Sequence, residues 1–116
     1  GFNAYTHYYG GNIAGWSHAG YMPRLKSEYH LDLKKVPFDF PELIGALAPR
    51  AFFTNSPLRD DNFEVAGVRI CLKSAEPIYR LLGAEGNLKA VHPDSAHDFP
   101  PAVRIQAYEF LEAALK

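Results

Sequence analysis

From residue 37 onward the apolar positions fall into readable periods. Leu43, Ile44 and Leu47 share one helical face. Asp39 stands where a cap belongs and Pro41 suits a first helical turn, so a helix is expected over 41–48, stopped by Pro49. The run Ala51-Phe52-Phe53-Thr54-Asn55, bounded by Pro49 and Pro57, is too short for a helix and rich in strand formers; it reads as a buried strand. A polar loop covers 56–63. Val65, Val68, Leu72, Ala75, Tyr79 and Leu82 then recur on one face of a longer helix, with Pro77 expected to kink it and Gly83 to end it. Leu88 to Val91 is the second strand and 92–100 the loop after it. Pro101 opens a last helix whose inward residues are Val103, Ala107, Phe110, Leu111 and Ala114.

Residues 1–36 follow no period. Phe2, Tyr5, Tyr8, Tyr9, Trp16, Tyr21 and Tyr29 are scattered among Gly10, Gly11, Gly15, Gly20 and Pro23, the pattern of an irregular excursion with short helical turns. The whole, 1–116, is therefore one α/β unit: the excursion, then helix, strand, helix, strand, helix over 37–116. Strand–helix–strand predicts a right-handed crossover between two parallel strands. Two strands do not make a stable sheet alone. Either a missing N-terminal half or another copy of the chain is expected to complete it. An apolar, unprotected strand edge favours a homo-oligomer as the simplest remedy.

Composition narrows the classes. Of the 116 residues, 47% are apolar and 22% charged, ordinary for a globular domain and wrong for a disordered tail or coiled coil. A net charge of −1 gives no field for nucleic acid, and Lys34-Lys35 is too short for a basic patch. No run approaches the ~18 consecutive apolar residues of a membrane helix. The one cysteine, Cys71, lies among apolar helix positions and reads as core packing. The chain starts at Gly1 without an initiator Met, so a piece of a longer protein is expected.

Parallel strands place ligand-binding loops at their carboxyl ends. The loop over 56–63 carries Asp60 and Asp61; the loop over 92–100 carries His92 and His97. A carboxylate after one strand and an imidazole after its neighbour is the arrangement in which an acid orients a base. An Asp in a turn also bonds local backbone, and a His before a helix also caps it. His7, His18 and His30 are spaced by 11 and 12 residues, which fits no compact metal motif, and neither metal nor organic cofactor is implied.

These residues carry a resemblance. The stretch Val36-Pro37-Phe38-Asp39-Phe40-Pro41-Glu42-Leu43, then Ala46-Leu47-Ala48-Pro49-Arg50, resembles the α/β-hydrolase family of acetyl xylan esterases, glucuronoyl esterases and dienelactone-hydrolase-like enzymes. Tyr21-Met22-Pro23-Arg24, Asp60-Asp61-Asn62-Phe63 and His97-Asp98-Phe99-Pro100 fit the same group. The resemblance spans nearly the whole chain and implies the C-terminal portion of such a fold. It implies His97 as catalytic base and Asp60 as acid, with Asp61 the runner-up, acting on a small-molecule or carbohydrate ester. Trp16 and Tyr21 are the aromatic rings best suited to line a sugar-binding pocket.

The family's nucleophile is a serine in a Gly-x-Ser-x-Gly elbow that follows a buried strand. Gly15-Trp16-Ser17-His18-Ala19 comes near this pattern, but Tyr8-Tyr9-Gly10-Gly11-Asn12-Ile13 is no apolar strand. The resemblance implies that the elbow lies upstream of Gly1, and the chain alone is expected to lack activity. The competing expectation is a non-catalytic half-hydrolase module that oligomerises through its sheet edge.

Overall fold

The computed structural model describes residues 13–116, so Phe2, Tyr5, His7, Tyr8 and Tyr9 lie outside the described residues. The described chain is a small mixed α/β domain with four helices and two parallel strands. A short 3-10 turn, Ile13–Trp16, leads to α1 (Arg24–Ser27), a second turn, Leu33–Lys35, and α2 (Phe40–Leu47). Then come β1 (Phe52–Asn55), α3 (Val65–Leu81), β2 (Leu88–Val91) and α4 (Pro101–Leu115).

The helix ends follow local chemistry. Asp39 and Glu42 form a capping box on α2: the Phe40 N–H donates to Asp39 Oδ1 at 2.7 Å and the Asp39 N–H to Glu42 Oε2 at 2.9 Å. At the other end of α3, Gly83 adopts φ +63°. The Ala84 N–H reaches back to the Tyr79 carbonyl and the Gly83 N–H to that of Arg80, which satisfies carbonyls the helix leaves open. Helix α3 runs unbroken through Pro77.

α3 crosses between the strands and packs on α2. Gly45 makes that approach close: a Cβ there would stand 2.5 Å from Ile78 Cδ1. Ile44, Cys71, Leu72, Ala75 and Tyr79 form the core between these helices. Tyr79 is fully buried, and its hydroxyl donates to the Arg50 carbonyl at 3.1 Å. Burial, with the Asp39 and Glu42 charges, pushes the Cys71 thiol up to about 11, so it serves as packing and not as a nucleophile. A second cluster, Ile13, Trp16, Leu25 and Val36, gathers the excursion, and Phe40 and Val68 touch both clusters.

Three expectations need correction. The first strand is not fully buried: all four residues of β1 are half-buried, and in β2 Lys89 and Ala90 are exposed. Leu82 falls beyond the helix and is 51% exposed. In α4 only Val103 and Ala107 are buried and Phe110 is half-buried, while Leu111 and Ala114 face outward beside exposed Ile105 and Tyr108. For α4 the cause is that the two strands of the described residues give it too little sheet to cover. Among the described residues no helix is long and apolar enough to cross a membrane.

Two outcomes are expected. Tyr79→Phe leaves the Arg50 carbonyl without its buried donor and lowers unfolding free energy by about 1–2 kcal/mol in urea titration. The isolated chain, with an exposed α4 face and, among the described residues, open strand edges, associates beyond 13.0 kDa when light scattering follows a sizing column.

Candidate active site

The site begins with strand register. Phe52 pairs with Leu88 and Asn55 with Val91, so β1 and β2 end side by side and release their loops together. The pairing then continues past the strands. The Ser56 N–H donates to the Val91 carbonyl (2.9 Å), that of Leu58 to Pro93 (2.9 Å) and that of Arg59 to Ser95 (3.1 Å). His92 Nδ1–H donates to the Ser56 carbonyl at 2.8 Å, so His92 ties the loops together. Arg59 adds an exposed pair with Asp94 at 2.7 Å, worth little by itself.

These links bring Asp60 and His97 into contact. His97 Nδ1–H donates to Asp60 Oδ2 at 2.9 Å. The other carboxylate oxygen, Oδ1, accepts from the Asn62 N–H at 2.9 Å and the Phe63 N–H at 3.0 Å, closing a turn that leads into α3. The side chain of Asp60 is 4% exposed and that of His97 54%. Burial alone would raise the Asp60 carboxyl. The His97 hydrogen bond and the Phe63 and Asn62 N–H groups outweigh it and hold the carboxyl below its ordinary value. An ionised Asp60 fixes the proton of neutral His97 on Nδ1 and leaves Nε2 as the basic nitrogen. Asp61, the runner-up, is exposed, and the carboxylate that meets His97 is Asp60's.

An open cleft of about 600 Å³ lies over the pair, lined among others by Ser56, Asp60, Phe63, His97 and Phe99. Phe63 closes the motif Asp60-Asp61-Asn62-Phe63, whose letters alone give it no role. Its ring lies 5.7 Å from the His97 imidazole, centroid to centroid, tilted by 35°. Trp16 in turn forms a T-shaped pair with Phe63, their centroids 5.8 Å apart. Its position three residues after Asp60 was the available signal, since that spacing lets one residue both bond the carboxylate through its backbone and face the imidazole with its ring.

No family model, curated protein or solved structure matches this chain.

Trp16 and Tyr21 do not line the cleft. Trp16 is 8% exposed, packed edge-on to Tyr21, Phe40 and Phe63, and a ring so buried has little face to offer a sugar. Tyr21 is 51% exposed, and its backbone bridges to His18 on both sides. Ser17 is buried: its Oγ donates to the Met22 carbonyl at 3.2 Å and accepts from the Lys26 N–H at 3.0 Å. It braces α1 and is not free as a nucleophile. Exposed His18 accepts from the Gly20 N–H, and among the described residues no group of three His, Cys, Asp or Glu is placed to hold a metal.

Because folding lowers the Asp60 pKa, its contribution to stability is present above the unfolded carboxyl value of about 3.9 and is lost as pH falls through the lower folded value. The difference in thermal midpoint between the native protein and Asp60→Asn is therefore expected to be full above about pH 5 and to shrink toward pH 2–3, by calorimetry across that range.

Proposed function

We propose that this chain supplies the acid and base of a serine carboxylic-ester hydrolase of the α/β-hydrolase type, its nucleophilic serine lying on chain outside these 116 residues. One observation carries the reading: a buried, ionised Asp60 bonded to Nδ1 of a half-exposed His97, both at the carboxyl ends of adjacent parallel strands, with an open cleft above. The likeness of the surrounding motifs to acetyl xylan and glucuronoyl esterases supports it and points to esters of carbohydrates.

In this mechanism His97 Nε2 takes the serine proton as Oγ bonds to the acyl carbon and the carbonyl π pair moves to oxygen. Asp60 stabilises the imidazolium through the Nδ1–H bond. Collapse breaks the ester C–O bond, and the alcohol leaves with the Nε2 proton. Water then repeats the sequence on the acyl-enzyme, giving the acid and free serine. The chemistry calls for no metal or organic cofactor.

The test is hydrolysis of p-nitrophenyl acetate by the protein that carries this chain. His97→Ala is expected to lower kcat by at least about 10³-fold and Asp60→Asn by about 10²- to 10⁴-fold. Ser17→Ala should leave activity unchanged. Folded His97→Ala protein with native activity would overturn the reading in favour of a non-catalytic module.

A further inference from the structure

The residue that ends β1, Asn55, does something the strand does not need. Its Nδ2 donates to the backbone carbonyl of Asp98, 43 residues away, at 2.8 Å. Asp98 is the residue after His97. Its own carboxylate accepts from the Phe99 N–H at 2.7 Å, and Pro100 and Pro101 then lead into α4. Two residues before His97, the Ser95 carbonyl accepts from the Arg59 N–H. His97 is thus suspended between two anchors, at Ser95 and Asp98, and both anchoring donors belong to the segment that carries Asp60.

Among the described residues, Asn55 Oδ1 is buried without a hydrogen-bond partner. An orphaned acceptor of this kind typically costs about 1–3 kcal/mol. An apolar side chain of the same shape would avoid that cost, and exposed Asp98 could take its hydrogen bond from water. For the fold alone, Asn is a poor choice at this position. For holding the main chain beside His97 it is a good one, because a short amide at a strand end has few rotamers and a donor at a fixed height.

We propose that Asn55 is a positioning residue: its Nδ2 bond to the Asp98 carbonyl sets the height of the His97 main chain so that Nδ1 meets Asp60. The catalytic consequence rests on the proposed role of the Asp60–His97 pair; the positioning itself does not. A main chain released by as little as 1 Å is enough to spoil an oriented proton transfer.

The test compares Asn55→Leu, which keeps the shape without polar atoms, and Asn55→Asp, which replaces the donor by an acceptor. Three readouts are taken on the protein that carries this chain. The first is the thermal midpoint. The second is the downfield proton resonance of His97 Nδ1–H, assigned by its loss in Asp60→Asn. The third is kcat and KM on p-nitrophenyl acetate. Asn55→Leu is expected to melt at or above the native midpoint, yet to lose the Nδ1–H resonance through exchange with water. Its kcat is expected to fall about ten- to a hundredfold with KM within twofold. Asn55→Asp should lose the resonance too. A native resonance in both variants, or a loss that only follows lowered melting, overturns the positioning role. Loss of the resonance with full activity supports positioning and instead counts against the catalytic reading of the pair.

Discussion

The parallel ladder between β1 and β2 is short, four residues on each side, and the rest of the site depends on where it stops. Asn55 is registered against Val91, so the two loops leave the sheet at the same level and in the same direction. Side chains alternate along a strand, and a slip of one residue would turn Asn55 to the opposite face and part the two loops. The ladder's own strength is modest. It is lengthened beyond the strands by backbone bonds from Ser56, Leu58 and Arg59 to the facing loop. What looks like two loops is closer to a frayed continuation of the sheet.

Within that frame the two titratable partners are treated differently. Asp60 is withdrawn from solvent and surrounded by donors, while His97 keeps about half its side chain exposed. Burying a lone carboxylate would protonate it. Three N–H groups make the ionised form the favoured one. The result is a fixed negative charge beside a ring that lines a cleft. Phe63 joins the halves of this arrangement, its backbone on the carboxylate and its ring against the imidazole.

The irregular segment before α2 has a supporting part here. Trp16, buried with Ile13, Leu25 and Val36, packs in a T shape with Phe63 and thereby backs the imidazole at one remove. Aromatic rings without a period, which in the sequence suggested a sugar-stacking surface, turn out in Trp16's case to fill the joint between excursion and site.

The sequence by itself determined the elements that local chemistry controls. Asp39 and Pro41 announce the start of α2, Gly83 the end of α3, and the proline-bounded run at 51–55 the first strand within a residue of its observed limit. It also pointed to the loops at 56–63 and 92–100, because a strand–helix–strand order has only two such carboxyl ends. Tertiary structure decided what depends on distance between remote residues. It chose Asp60 over Asp61, since a residue's place in a turn, not its type, settles which carboxylate points across. It buried Trp16, committed Ser17 to α1, and left Leu111 and Ala114 uncovered, because a helical face shows which side is apolar but not whether anything arrives to cover it. Asn55 lay outside sequence reasoning for the same reason: its partner is a backbone carbonyl 43 residues away, and a backbone carbonyl has no letter in the sequence.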